Sequence, residues 1–254
     1  MDQRTLILIT NDDGFEAAGI RYLAKCVGRW ADVVTVAPDG PRSGQSSAIT
    51  VNSELYITRR ADEEGAQVWS VNGTPVDCVK LAMHALFRER RPDLILSGIN
   101  HGSNSGNSVL YSGTMGAVIE GCTLGIPSVG FSLLDHHADA DFSECGRYVD
   151  EIARGVAASG LPSGICLNVN IPARCKPNGI KLVRASMGHW IGEYSQTTAP
   201  DGRTAYRLTG EYVDRDPDDS TTDNYWLGRG YVTVVPTGVD MTADCKDIAC
   251  LREL

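Results

Sequence analysis

The sequence predicts an α/β protein built on a mainly parallel sheet with helices on both faces. Over the first two-thirds of its 254 residues, short β-branched runs alternate with longer stretches whose apolar residues recur every three or four positions. This alternation is typical of strands joined by crossover helices. Apolar residues make up 42% of the chain and charged residues 22%, a composition that favours one substantial globular core.

The predicted elements alternate along the chain. The strand candidates are residues 5–10, 33–37, 93–97, 128–132 and 165–171. The helix candidates are residues 18–28, 76–89, 115–122 and 144–158. The apolar residues of 76–86 fall on one helical face, as expected of a helix that rests on a sheet.

After about residue 184 the sequence changes character. Residues 187–213 form two extended polar and aromatic runs joined at Pro200-Asp201-Gly202, whose residue types suit a tight turn. We interpret them as a long β-hairpin, followed by an acidic loop and a strand at 230–237. Because a two-stranded ribbon buries little apolar surface, we expect its aromatic residues to pack on another subunit. The predicted division is a core at 1–185 and an oligomerisation arm with a C-terminal strand and tail at 186–254.

Charge and cysteine content restrict the partners. The 23 Lys and Arg residues against 32 Asp and Glu residues give a net charge of −9, which excludes a nucleic acid polymer as the expected partner. No basic leader precedes the first apolar stretch and no run reaches membrane length, so we expect a cytoplasmic protein without membrane contact.

The eight cysteines contain no CxxC pair and are expected to be reduced and mainly buried; disulfides are the alternative for a secreted protein.

Two adjacent aspartates, Asp12 and Asp13, follow the first predicted strand. Ligands of open α/β sheets bind beyond the carboxyl ends of the strands. Neighbouring carboxylates resist joint ionisation unless a cation or a proton lies between them, and a hard divalent metal ion provides such a cation. The alternative is that one aspartate caps the next helix and the other is solvated.

Three further polar segments follow predicted strands or precede a helix. Residues 36–47 combine turn-forming Pro and Gly with Arg42, a candidate phosphate-pairing cation, and with serine hydroxyls. Residues 93–106 end in a glycine-rich loop without the GxGxxG spacing, which argues against a nicotinamide cofactor. Residues 112–114 begin an apolar helix, where free N–H groups favour an anion, although plain N-capping is the alternative. Together the segments favour metal-assisted hydrolysis of a phosphate ester.

Five sequence motifs follow one another within residues 6–127: TNDDG, VAPDGPRSGQSSAIT, VNGTPVDCVKLA, PDLILSGINHGSN and YSGTMGAVIEG. With a weaker match at GYVTVVPTGVDMT, the chain resembles the survival protein E (SurE) family of 5'/3'-nucleotidases. The resemblance implies a Rossmann-like three-layer core and a protruding, domain-swapped β-hairpin in a homodimer or homotetramer. It also implies an acid-phosphatase-like phosphomonoesterase that acts on nucleoside 5'- and 3'-monophosphates, with short polyphosphate as a further candidate substrate, and one Mg²⁺ or Mn²⁺ ion per subunit.

The same resemblance assigns roles to individual positions. The implied metal ligands are Asp12, Asp13, Ser43 and Asn100, of which the two aspartates are also catalytic. The implied phosphate-binding residues are Asn11, Asn104, Ser112, Gly113 and Thr114. His101 is a candidate general base, but an exposed loop histidine is the preferred interpretation. Residues 52–67 and 136–142 look particular to this chain; if these loops border the pocket, we expect them to alter substrate preference.

The mechanistic hypothesis is direct attack by water on phosphorus. A divalent ion makes the water more acidic and neutralises developing charge, and Asp12 accepts the proton. One alternative is an aspartyl-phosphate enzyme in which Asp12 itself attacks. Another is a non-catalytic nucleotide-binding or regulatory module on the same fold.

Overall fold

The computed structural model describes residues 4–137 and 139–242. Its strands are β1 Leu6–Thr10, β2 Asp32–Pro38, β3 Ile57–Arg59, β4 Gln67–Val71, β5 Leu94–His101, β6 Ser128–Leu133, β7 Ile165–Ile171, β8 Ile180–Leu182, β9 Gly188–Ile191, β10 Tyr194–Thr198, β11 Thr204–Leu208, β12 Glu211–Asp214 and β13 Val232–Gly238. Its helices are α1 Ala18–Val27, α2 Pro75–Ala85, α3 Gly113–Thr123, α4 Cys145–Ser159 and α5 Asp223–Leu227, with a 3₁₀ helix at Gly106–Tyr111.

One sheet passes through the centre of the described chain, with the strand order β3-β4-β2-β1-β5-β6-β7-β13-β8. Strand β1 pairs in parallel with β2 on one side and with β5 on the other. The chain moves outward from β1 to β2 and then crosses to β5, so the strand order reverses between β1 and β5. A cleft opens at such a reversal, beyond the carboxyl ends of the two strands.

Helices cover both faces of the sheet. Helices α1 and α4 pack together on one face, and α2 and α3 pack together on the other. The sequence of β1 reflects this position, because Ile7, Leu8 and Ile9 are all fully buried and no polar face alternates with them. The predicted three-layer α/β class with a mainly parallel sheet is confirmed.

The predicted elements differ from the structure in where some of them end and in which short elements are present. Helix α2 ends at Ala85 instead of residue 89, because the Phe87 side chain turns into the core and the Phe87 N–H donates to the Ala82 carbonyl oxygen at 3.1 Å. The short strands β3, β4 and β8 were absent from the sequence prediction. Each lies toward an edge of the sheet, where pairing with a neighbour decides the conformation more than local sequence does.

The predicted hairpin is present at residues 188–214. The β9–β12 and β10–β11 ladders share one register, since Ile191 faces Glu211 and Tyr194 faces Leu208. At the tip, the Gly202 N–H donates to the Ala199 carbonyl oxygen at 2.9 Å and Gly202 adopts a φ of +83°, as the turn prediction required. We call residues 188–214 the arm.

The strand that follows the arm returns to the core. Strand β13 lies between β7 and β8 in the central sheet, antiparallel to the first and parallel to the second. The division of the chain at residue 185 stays a prediction, and the predicted tail at 243–254 lies outside the described residues. Across residues 4–137 and 139–242, no helix has the length and apolar character needed to cross a membrane.

The six described cysteines form no disulfide with one another in the structure. Five of them are buried, and Cys175 is exposed. Cys245 and Cys250 lie outside the described residues.

Candidate active site

A cavity of about 300 Å³ opens beyond the carboxyl ends of β1 and β5. It lies at the strand-order reversal, where ligands of open α/β sheets bind. Five of the predicted site residues line it: Asp12, Ser43, Asn100, Asn104 and Ser112. Segments that are far apart in the sequence therefore meet at one cavity.

Asp12 is the buried acid of the site, with only 4% of its surface exposed. Its Oδ1 atom accepts a short hydrogen bond from the Thr114 hydroxyl. Gly113 packs directly against it, since a Cβ atom at position 113 would lie 2.8 Å from the Asp12 Cβ atom. Burial raises the pKa of Asp12 to about 6; the Thr114 hydrogen bond opposes this rise and the Asp13 carboxylate adds to it. The ionised form of Asp12 therefore needs a nearby positive charge.

Asp13 contacts the histidine at the end of β5. Its Oδ2 atom lies 3.1 Å from the His101 Nδ1 atom and 3.4 Å from the His101 backbone nitrogen. The His101 ring also makes an edge contact with Phe142 at a centroid distance of 5.1 Å. The interpretation of His101 as an exposed loop residue is wrong, because β5 continues to position 101 and holds the half-buried ring beside Asp13.

Asn100 and Ser43 present free oxygen atoms. The Asn100 Nδ2 atom donates to the Gly102 carbonyl oxygen at 2.9 Å, which leaves its Oδ1 atom as the free end of the amide. The Ser43 side chain is exposed at the cavity. Its loop is tied to the acidic pair, because the Arg42 N–H donates to the Asp12 carbonyl oxygen at 2.7 Å.

The Arg42 guanidinium does not serve the cavity as a phosphate-pairing cation. It binds the Asp39 carboxylate at 2.8 Å and the Gly73 carbonyl oxygen at 3.3 Å, so its charge is already paired. Among the described residues, the cavity lining contains no Lys or Arg. The lining does contain His101 and His136, so an anionic phosphate would depend on these rings, on backbone N–H groups or on a bound cation.

The donor set fits a hard divalent cation. Asp12, Asp13, Asn100 and Ser43 offer carboxylate, amide and hydroxyl oxygens, which are the ligands that Mg²⁺ and Mn²⁺ prefer. The described residues contain no cluster of three or more His, Cys, Asp or Glu side chains that could hold a metal ion. Because only two acids are present, an ion here would depend on the neutral oxygens and on water to complete its coordination.

The predicted phosphate-binding residues divide into two groups. Ser112 lines the cavity, accepts a hydrogen bond from the Met115 N–H at 3.0 Å and caps α3, so the N-terminal end of that helix begins at the cavity. Asn11 and Thr114 instead use their side chains within the protein. The Asn11 amide bonds at both ends to the Gly14 backbone, and Thr114 bonds to Asp12. These two residues shape the acidic turn rather than line the cavity.

Asn104 belongs to a buried polar network that the sequence analysis missed. Its N–H donates to the Asn170 Oδ1 atom at 2.9 Å, and its carbonyl oxygen accepts from the Asn168 Nδ2 atom at 2.8 Å. The Asn104 amide also donates to the Ser132 hydroxyl at 2.9 Å. The signal was the presence of two asparagines, two positions apart, in the otherwise apolar strand β7.

The fold and the cavity define a class: a three-layer α/β protein with an oxygen-rich site at the strand-order reversal. A family model described as survival protein SurE matches residues 7–192. The chain belongs to the survival protein SurE family, which confirms the resemblance drawn from the motifs.

Similar proteins support the same assignment along nearly the whole chain. A protein of Phocaeicola vulgatus named 5'-nucleotidase SurE is 46% identical over 241 residues, covering 95% of this chain and 93% of its own. The protein of the same name from Bacteroides fragilis is 46% identical over 242 residues, with coverage of 95% and 94%. The crystal structure of the SurE protein from Aquifex aeolicus matches with a TM-score of 0.80 and 34% identity, covering 93% of this chain and 94% of that one. The predicted class of phosphoric monoester hydrolase agrees with the names of the first two.

Proposed function

We propose that this protein is a divalent-metal-dependent phosphomonoesterase that hydrolyses nucleoside 5'- and 3'-monophosphates to nucleoside and phosphate. The observation that carries the proposal is the buried acid Asp12, next to Asp13 in the chain, at a cavity whose described lining lacks Lys and Arg but offers the Asn100 and Ser43 oxygens. The names of the similar proteins support the 5'-nucleotidase part of this activity.

Asp12, Asp13, Ser43 and Asn100 would hold one Mg²⁺ or Mn²⁺ ion per subunit. Such an ion supplies positive charge for the phosphate and makes water more acidic. The residues of the chain then have separate tasks. Thr114 and Gly113 fix the orientation of the Asp12 carboxylate, and the first N–H groups of α3 receive phosphate oxygens.

In the proposed reaction, Asp12 accepts a proton from the attacking water. The new bond forms between the water oxygen and phosphorus while the ester bond to the nucleoside oxygen breaks in line. The proton held by Asp12 is then available to the departing nucleoside oxygen. The buried position of Asp12 and its hydrogen bond from Thr114 fix the accepting carboxylate at the cavity, which suits this task.

The test is phosphate release from nucleoside 5'- and 3'-monophosphates and short polyphosphate, with Mg²⁺ or Mn²⁺ and after treatment with a chelator. We expect release to depend on the metal and to be abolished in Asp12→Ala and in Asp13→Ala. Asp32→Ala is the matched control, since Asp32 is a partly exposed acid paired with Arg4 at 3.3 Å. Near-normal turnover by both active-site variants, or by chelated protein, would contradict the assignment.

Two rival mechanisms give different results in the same system. An aspartyl-phosphate enzyme would leave ³²P from the labelled phosphate group of the substrate covalently bound to an aspartate side chain when a single turnover is quenched with acid. A regulatory nucleotide-binding module would bind the nucleotide without metal-dependent phosphate release. Direct attack by water predicts that the label appears in free phosphate and on no side chain.

We also propose that the arm joins copies of this chain into a homodimer or homotetramer by exchange between subunits. Side chains two apart on a strand share a face, so Tyr194, Tyr206 and Leu208 lie together across the β10–β11 pair. Each is at least 66% exposed. A two-stranded ribbon with such a face requires a partner surface to bury it.

A further inference from the structure

We propose that Trp190 is the platform on which the base of the nucleotide substrate stacks. On this view the core binds the phosphate and the arm recognises the base. The inference rests on the proposed function, because it assigns the part of the substrate that lies beyond the phosphate.

The position of Trp190 supports this role. Although it belongs to β9 of the arm, its side chain lines the same cavity as Asp12 and Asn100. The residue is 37% exposed, so part of the indole is open. Tyr111, at the end of the 3₁₀ helix, also lines this cavity and is 58% exposed. The cavity thus combines oxygen ligands with large aromatic rings, and every nucleobase has a π-face that such rings can stack upon.

The indole of Trp190 is held by contacts within its own chain. Tyr212 is its cross-strand partner, and the two rings make an edge contact at a centroid distance of 5.7 Å. The Tyr212 hydroxyl donates to the Asn107 Oδ1 atom at 2.7 Å, which links the ring pair to the 3₁₀ helix. Gly188 leaves room for this packing, since a Cβ atom there would lie 2.6 Å from the Tyr212 ring.

A buried carboxylate fixes the start of the arm to the 3₁₀ helix beside the cavity. Asp223 is fully buried and accepts the N–H of Gly106, in the 3₁₀ helix, and the N–H of Ser186, just before the arm, both at 2.8 Å. The platform is therefore set at a defined place relative to the acidic pair. A ring that is already fixed loses little further freedom when a base stacks on it.

The chemistry of the surroundings favours a base over a second phosphate. The described cavity lining has two histidines, His101 and His136, but no Lys or Arg that would pair a further anionic group, and the His101 ring already contacts the Asp13 carboxylate. A planar, uncharged heterocycle is the group that an open indole binds best in such a place. Because a purine offers the larger face, the contribution of Trp190 is expected to be greater for purine than for pyrimidine nucleotides.

The test compares a purine nucleoside 5'-monophosphate with ribose 5-phosphate, which keeps the sugar and phosphate but lacks the base. For Trp190→Ala we expect the KM of the nucleotide to rise about tenfold. We expect the KM of ribose 5-phosphate and both kcat values to change by less than about twofold, because the platform does not touch the phosphate. Trp190→Phe retains a ring and should recover most of the affinity.

Ile191→Ala is the matched control. Ile191 is the next residue of β9, points to the opposite face of the strand and is 46% exposed, so it reports general disturbance of the arm. We expect it to leave both KM values unchanged. The ratio of the two KM values within one variant is insensitive to partial loss of folded or assembled protein.

The proposal is overturned if Trp190→Ala leaves the KM of the nucleotide unchanged. It is also overturned if the KM of ribose 5-phosphate rises by the same factor, which would mean that Trp190 only supports the arm. If the wild-type protein releases phosphate from neither substrate, the proposed function fails. Calorimetric binding of the nucleotide then decides the platform separately, and equal affinity for wild type and Trp190→Ala would refute it.

Discussion

At the scale of single residues, the candidate site depends on how Asp12 is buried. The Thr114 hydroxyl and the close approach of Gly113 fix its carboxylate, and burial raises its pKa from 3.8 to about 6. Between about pH 4 and pH 6 the folded protein therefore binds more protons than the unfolded chain, so the stability of metal-free protein falls as the pH rises through this range.

Asp12→Asn should stabilise the metal-free protein at neutral pH. The amide removes the buried charge and can still accept the Thr114 hydrogen bond, so the free energy of unfolding at pH 8 should increase by up to about 3 kcal/mol. The difference should vanish near pH 4, where Asp12 of the wild type is protonated. Urea denaturation of chelator-treated protein across this pH range measures it.

Added Mg²⁺ provides the control for that measurement. It should stabilise the wild type and not Asp12→Asn, because a ligand that binds only the folded state raises stability by an amount that grows with the logarithm of its concentration divided by its Kd. A pH-independent difference between the two proteins, or a less stable variant at pH 8, would contradict the burial argument.

Gly113→Ala should reduce activity at least about tenfold by displacing Asp12. Its Cβ atom would lie 2.8 Å from the Asp12 Cβ atom and 3.0 Å from Oδ2, so the carboxylate must move. We expect a loss of about 1–3 kcal/mol in stability from overpacking. Gly155→Ala on the exposed side of α4, where nothing lies within 4 Å, should keep full activity and gain about 0.5–1 kcal/mol. Steady-state kinetics and thermal unfolding of both variants test this, and a fully active Gly113→Ala protein would refute it.

At the scale of elements, the loop after β5 is held in place by β7, a strand on the far side of β6. Asn170 accepts the Asn104 N–H and donates to the Asn168 Oδ1 atom at 3.0 Å, and all three asparagines are buried. Since an unpaired buried amide is unfavourable, this network fixes one conformation of residues 103–105 at the edge of the cavity.

Asn170→Ala should therefore lower both stability and activity. It leaves the Asn104 N–H without its acceptor, which costs about 1–3 kcal/mol in unfolding free energy. The loss of activity follows because the loop carrying Asn104 lines the cavity. Asn52→Ala, at an exposed position, is the control and should behave as wild type. Urea denaturation and turnover measured on the same samples are the readouts; an unchanged midpoint for Asn170→Ala would show that the network contributes nothing.

At the scale of the whole molecule, the arm has two proposed roles, which are recognition of the nucleotide base and assembly of subunits. The β9–β12 part of the arm places Trp190 at the cavity, and the β10–β11 part extends beyond it with Tyr206 and Leu208 exposed. The two parts are separated by Gly192 and Gly210, both with positive φ, at the break between the two ladders.

A Tyr206→Asp and Leu208→Asp double variant should sediment as a smaller species than the wild type. Two charges on the exposed face of β11 oppose burial against another subunit but are tolerated in a solvated ribbon. The secondary structure measured by circular dichroism should not change. A wild-type protein that already sediments as a monomer, or a variant that assembles as before, would remove the proposed role of the arm in oligomerisation.

Much of the fold and part of the candidate site could be predicted from the sequence, because local signals are strong where strand-like and helix-like segments alternate clearly. The apolar run of β1, the Pro-Asp-Gly turn of the arm and the adjacent acids required no tertiary information. The limit of α2 and the short edge strands could not be predicted, since contacts with Phe87 and with neighbouring strands decide them.

The sequence by itself determined the α/β class, the arm and the residue types of the site, because periodicity and turn chemistry act over a few neighbouring residues. Only the tertiary structure decided which side chains meet. It directed Arg42 to the Gly73 carbonyl oxygen, brought His101 to Asp13 and placed Trp190 at the cavity. Those outcomes depend on strand order and register, which join residues far apart in the chain and leave no local signal in it.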